Sequence, residues 1–134
     1  MSLSPKKSFT KSERLKSKKQ IGLLFKNKQS IGIYPLRIFW AETDIQQTSY
    51  PAKATFSVSK KTFKKAVKRN FYKRLMREVY RKHKHILYQK LQKEKKTINL
   101  LLLYVGKDDS NYELIEKKYL LLIDEFFSKL MVKK

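Results

Sequence analysis

Between Lys60 and Arg81 the sequence runs KKTFKKAVKRNFYKRLMREVYR, and few folds accommodate that stretch. Its spacing predicts a helix from about Ala66 to about Leu91. Val67, Phe71, Leu75 and Val79 recur at i, i+4, with Tyr72, Met76 and His83 beside them, which reads as one apolar arc. Arg69, Lys73, Arg77 and Arg81 recur at the same spacing, flanked by Asn70, Arg74 and Lys84, which reads as a basic arc. Cations at i, i+4 repel and weaken an isolated helix by about 0.2–0.5 kcal/mol per pair. Within this basic helix Glu78 alone offsets them. Such a helix seats one face on a core and offers the other to solvent or to a polyanion. A charge run taken alone more often marks a solvated face.

The charge balance of the whole chain favours the polyanion. There are 33 Lys and Arg against 11 Asp and Glu in 134 residues, a net charge of +22. That imbalance opposes compactness by self-repulsion, which a polyanionic partner relieves. Nucleic acid is the first candidate and an anionic membrane surface the second. With 41% hydrophobic and 13% aromatic residues the chain reads as folded, a single domain over 1–134. It has no cysteine, which excludes disulfides, thiolate metal sites and cysteine nucleophiles. No apolar run is long enough to span a bilayer, and the N-terminus lacks the apolar segment of a signal peptide, so a cytoplasmic location and no membrane partner are expected.

The remaining elements follow in order. Residues 1–16 are polar and basic and read as a flexible arm, with Phe9 and Leu15 as anchors. Ser17 and Gln20 form a capping-box pattern that opens a short helix carrying Ile21, Leu24 and Phe25. A weak strand signal lies around Ile31–Tyr34. Tyr34–Ala41 reads as a strand, with Leu36, Ile38 and Trp40 facing a core and Arg37, Phe39 and Ala41 on the other side. An arginine beside an aromatic on a sheet face suits single-stranded nucleic acid. It reads equally as a second buried face with a snorkelling arginine. Asp44–Pro51 is a polar turn. Ala52–Ser59 is a further strand, with Ala54, Phe56 and Val58 on one face and Lys53, Thr55 and Ser57 on the other. Thr97–Val105 is almost continuously apolar, as in a central strand buried on both faces. Ser110 and Glu113 read as a second capping box, opening a last helix with Ile115, Tyr119, Leu122, Ile123, Phe126 and Leu130 at helical spacing. The order α-β-β-(β)-α-β-α predicts an α+β two-layer sandwich, helices packed on a mixed central sheet of about four strands.

The chemistry of a self-sufficient nuclease is missing. Glu13, Glu42, Asp44, Glu78 and Glu94 are scattered, and the adjacent Asp108 and Asp109 fall in a turn. His83 and His85 are two apart and point to different sides of a helix. There is no Gly-rich phosphate loop. No catalytic residue and no protein-held metal is expected.

The strings Ser57-Val58-Ser59-Lys60-Lys61, Ala66-Val67-Lys68-Arg69-Asn70 and Lys73-Arg74-Leu75-Met76-Arg77-Glu78 form a specific pattern after a strand. It resembles the bacterial ribonuclease P protein family, and the resemblance extends over nearly the whole chain. Two departures stand out. Phe71 takes the place of the last Arg of the family's Arg-Asn-Arg signature, and Ile21 stands where the first helix commonly carries an aromatic. The resemblance implies a left-handed βαβ crossover, where chain physics alone predicts a right-handed one. It also implies a ribonucleoprotein endoribonuclease whose catalyst is RNA, with Mg²⁺ held mainly by that RNA and no organic cofactor. The implied partners are the ribonuclease P catalytic RNA and precursor tRNA, with no obligate protein partner. Lys60, Lys61, Lys64, Lys65, Lys68, Arg69, Asn70, Lys73, Arg74, Arg77 and Arg81 are then the expected RNA-binding loop and helix. Phe25, Ile21, Arg37, Phe39, Lys53 and Ser57 are the expected cleft for the 5′ leader. A structural RNA-binding protein of ribosomal type, with no part in cleavage, is the other reading that composition allows. Either one predicts a loss of about 10³–10⁵ in affinity between roughly 50 and 200 mM salt.

Overall fold

The computed structural model describes residues 9–26, 29–43 and 50–132. The first eight residues of the arm and most of the Asp44–Pro51 turn lie outside them. The elements are a 3-10 turn at Lys11–Glu13, then α1 (Lys18–Lys26), β1 (Ser30–Ile33), β2 (Leu36–Thr43), β3 (Ala52–Val58), α2 (Ala66–Lys93), β4 (Thr97–Tyr104) and α3 (Tyr112–Val132). The four strands form one mixed sheet in the order β1-β2-β4-β3. β2 runs antiparallel to β1 and β4, whereas β3 and β4 are parallel and joined through α2.

β4 is central because its sequence gives it two apolar faces. Ile98, Leu100, Leu102 and Tyr104 enter the main core with Leu36, Ile38 and Trp40 of β2, under α2 and α3. Leu101 points the other way, into a small second core with Leu15 and Leu24, so α1 covers the opposite face. The α3 residues expected in the core are all buried, joined by Phe127.

The structure corrects several local expectations. Of the apolar arc expected on α2, Tyr72, Met76 and Val79 are buried and Leu75 packs on the core, joined by Tyr80, Leu87 and Leu91, whereas Val67 and Phe71 are exposed. Lys84 does not flank the basic arc but is buried against Glu13. From Phe9 onward the arm is pinned. Phe9, Glu13 and Leu15 are buried, and the Leu15 amide donates to the Ala54 carbonyl at 2.9 Å along the edge of β3. Tyr34 and Pro35 form the β1–β2 turn rather than the start of a strand. At the start of α3 Asn111, not Ser110, takes the capping role: its Oδ1 accepts the Leu114 amide at 2.9 Å. The Ser17 cap on α1 is present, its Oγ accepting the Gln20 amide at 3.2 Å.

Candidate nucleic-acid interface

Two surfaces meet at one end of the sheet. The first is the sheet face beneath α1. Strand register aligns Arg37, Leu103 and Ser57 in one row, Phe39, Leu101 and Thr55 in the next, and Ala41, Asn99 and Lys53 in the third. α1 caps the middle row through Leu24, with Ile21, Phe39, Ala41 and Leu103 packed around it. Phe25 remains 46% exposed, and its ring meets that of Phe39 at 5.0 Å and 54°. The two rings form an apolar lip on the cleft. Lys53 and Ser57 are half-buried on the far strand. All six expected cleft residues therefore lie on this face or on the helix over it.

Arg37 is held rather than loose. Its Nη1 donates to Ser30 Oγ at 2.8 Å, and its guanidinium lies across Gly32, where a Cβ would come within 3.0 Å of Nη2. Gly32 is the cross-strand partner of Arg37, so the missing side chain leaves the space in which the guanidinium lies flat. Neither Ser30 nor Gly32 stood out in the sequence. The weak strand signal around Ile31–Tyr34 took in Gly32 but not Ser30.

The second surface begins where β3 ends, one residue after the Arg37–Leu103–Ser57 row. The loop from Ser59 to Lys65 is short and anchored. Phe63 is buried and stacks on Tyr72 at 5.0 Å and 9°, and Tyr72 stacks on Tyr104 at 4.6 Å and 20°. Arg69 Nη1 donates to the carbonyls of Phe63 at 2.8 Å and Lys64 at 2.7 Å. Lys60, Lys61, Lys64 and Lys65 are exposed on this fixed loop. α2 then starts with no acidic residue in its first turn and no side-chain cap, so its positive dipole end adds to theirs.

The expected cations of α2 divide by their partners. Arg69 is engaged by the loop carbonyls. Lys68 pairs with Asp109 at 2.7 Å, a bond that holds the lysine above its ordinary range and the carboxyl below its own. Arg81 pairs with Glu78 at 2.6 Å. Lys73, Arg74 and Arg77 have no salt bridge among the described residues, and Asn70, Arg74 and Arg77 are exposed. His83, on the opposite side, bonds Glu116 of α3 at 2.7 Å. Among the described residues no three His, Asp or Glu side chains gather as a cation site. Nor is any helix among them long and apolar enough to cross a membrane.

A small α+β sandwich with a cationic loop and helix beside an aromatic-lipped, arginine-edged sheet defines a nucleic-acid-binding class of protein. A model of the family described as ribonuclease P matches residues 9–123. This chain belongs to the ribonuclease P protein family. It is 32% identical over 117 residues to the ribonuclease P protein component of Porphyromonas gingivalis strain W83, covering 87% of this chain and 85% of that protein. Against the ribonuclease P protein component of Chlorobium phaeobacteroides it is 32% identical over 120 residues, covering 83% and 82%. The fold is similar to that of the ribonuclease P protein from Thermotoga maritima, with a TM-score of 0.64 at 22% identity over 82% of this chain and 94% of that one. The Staphylococcus aureus protein superposes with a TM-score of 0.61 at 19% identity, over 85% and 94%.

Proposed function

We propose that this chain works as the protein subunit of ribonuclease P, binding the catalytic RNA and the 5′ leader of precursor tRNA during removal of the leader. One observation carries the reading. The cationic loop and helix leave the sheet at the same end as the Arg37–Leu103–Ser57 row, so one nucleic acid assembly can engage both surfaces. Lys60, Lys61, Lys64, Lys65, Lys73, Arg74 and Arg77 meet phosphates of the catalytic RNA, with Lys68 joining them when it leaves Asp109. Asn70 adds a neutral hydrogen bond, and Arg69 holds the loop in shape. Leader nucleotides lie on the Phe25–Phe39 lip, with Arg37, Lys53 and Ser57 along their backbone and Ile21 beneath.

The protein contributes no reacting group. Membership of the family implies Mg²⁺ carried mainly by the RNA, where it would supply Lewis acidity for phosphodiester hydrolysis. The chain neutralises charge, which lets two polyanions approach, and positions the substrate by its leader. It acts in the cytoplasm and needs no protein partner.

The test is cleavage of a 5′-extended precursor tRNA by a bacterial ribonuclease P RNA at low Mg²⁺, with and without this chain. Strong stimulation at the mature 5′ boundary is expected. Tight RNA binding without stimulation would instead favour a structural RNA-binding protein.

A further inference from the structure

Two apolar side chains stand on the polar side of α2. Val67 is 82% exposed and Phe71 46% exposed, whereas Tyr72, Met76, Val79 and Tyr80 just beyond them are buried. At i and i+4 the pair shares one helix face. Asn70 and Arg74, three residues beyond Val67 and Phe71 respectively, border it and are exposed. Phe71 is also braced. Its ring meets Tyr72 nearly perpendicularly, at 5.1 Å and 81°, and Tyr72 packs against both Phe63 and Tyr104 in a three-ring cluster. A rigid, partly open aromatic ring with an apolar neighbour is what a flat apolar ligand needs.

The surroundings decide which ligand. The exposed Lys64, Lys65 and Arg74 lie within three residues of the pair in sequence, in a chain of net charge +22. A second copy docking the same patch would bring these cations face to face. A nucleobase brings its own phosphate, and so matches both the ring and the charges. We propose that Phe71, with Val67 beside it, is a platform on which one unpaired nucleobase of the RNA partner stacks, its phosphate held by Arg74. This rests on the RNA-binding reading given above and adds a site outside the leader cleft. Every base has a π-face, so the platform selects an unpaired nucleotide rather than a sequence.

The experiment measures affinity for a bacterial ribonuclease P RNA at several salt concentrations. It compares the parent chain with Phe71→Ala, Phe71→Trp, Phe71→Arg and the double variant Lys73→Ala/Arg77→Ala. Phe71→Ala is expected to weaken binding about 5- to 100-fold. Its salt slope should stay unchanged, because stacking releases no counterions. Phe71→Arg should steepen the logarithmic salt slope by about one. Phe71→Trp should retain affinity and lose fluorescence on RNA addition. The only other tryptophan, Trp40, is buried. Should the alanine variant fail to fold by circular dichroism, the tryptophan signal decides, and an emission unchanged by RNA overturns the platform. If Phe71→Ala binds as the parent while the Lys73/Arg77 variant weakens, the platform is wrong and the RNA interface stands. Loss accompanied by a shallower slope also overturns stacking. If neither variant loses affinity, both the platform and the RNA interface fail. A change in oligomeric mass at unchanged RNA affinity assigns the patch to a second copy, against the proposal.

Discussion

Lys84 Nζ donates to Glu13 Oε2 across 2.6 Å in the interior of the protein, between residues 71 apart in sequence. The same carboxylate oxygen accepts the Tyr88 hydroxyl at 2.7 Å, and Oε1 accepts the Thr10 amide and hydroxyl at 2.9 and 3.0 Å. The pair fastens the N-terminal strap to the middle of α2. It also gives the cationic helix one charge that no RNA can reach.

Removing one partner leaves the other buried and uncompensated. Glu13→Ala is expected to lower stability by about 3–5 kcal/mol in urea denaturation. The double variant Glu13→Leu/Lys84→Met should recover most of that, because it leaves no lone charge. A single-variant loss below about 1 kcal/mol would mean that the strap is held by Phe9 and Leu15 alone.

Acid should act through the same site. Burial by itself raises the Glu13 carboxyl, but the bonds from Lys84, Thr10 and Tyr88 outweigh it and hold the group below its ordinary value of 4.5. A depressed carboxyl stabilises the fold fully above that ordinary value, where the unfolded chain is also ionised. The contribution is lost as pH falls through the folded-state value. Stability of the parent chain should therefore decline below about pH 4.5, and Glu13→Gln should show a shallower decline. Parallel acid profiles for the two would place the acid-sensitive group elsewhere.

Arg69 is expected to act through the loop. Without its bonds to the Phe63 and Lys64 carbonyls, the lysines beside them lose their fixed geometry. In a double-mutant cycle for RNA binding, Arg69→Ala and Lys64→Ala/Lys65→Ala should be non-additive by about 0.5–3 kcal/mol. Additive losses would instead make Arg69 an independent phosphate contact.

The leader cleft offers a separable readout. Arg37→Ala and Phe39→Ala should weaken binding of precursor tRNA by the holoenzyme and spare mature tRNA, with about 1–3 kcal/mol at stake for a stacked base. Gly32→Val should resemble Arg37→Ala, because its side chain takes the space of the guanidinium. Equal loss for both tRNAs would remove the leader from this face.

The large features of the fold were legible because they follow from local pattern. The apolar run at Thr97 announced a central strand, and the alternation of Leu36, Ile38 and Trp40 against Arg37 and Phe39 gave both faces of β2. α2 was legible as a helix, and Tyr72, Leu75, Met76 and Val79 of its expected arc do meet the core, but its exposed first turns were not legible. Val67 and Phe71 continue the i, i+4 series of Leu75 and Val79, and only the position of the sheet leaves the first two exposed and the last two on the core. Lys84 looked like one more surface cation because its partner lies far off in sequence. The role of Arg69 was equally hidden: its acceptors are main-chain carbonyls, which are the same for every residue type. Asn111 and Ser110 are adjacent and chemically matched as caps, so the chain path rather than composition chose between them.

β2 and β3 do not touch, because β4 lies between them. On the ribosome, the strands that end at Thr43 and Val58 emerge well before the one that joins them, which ends at Tyr104. Until then the nascent polypeptide has two bare edges and a strongly basic helix with no floor beneath it. The sheet closes only when nearly the whole chain has been made, and the main core waits further for the helix that ends at Val132. Termination ahead of Thr97 would therefore yield no smaller working protein. It would release a cationic fragment with unpaired strands, a substrate for proteolysis and aggregation.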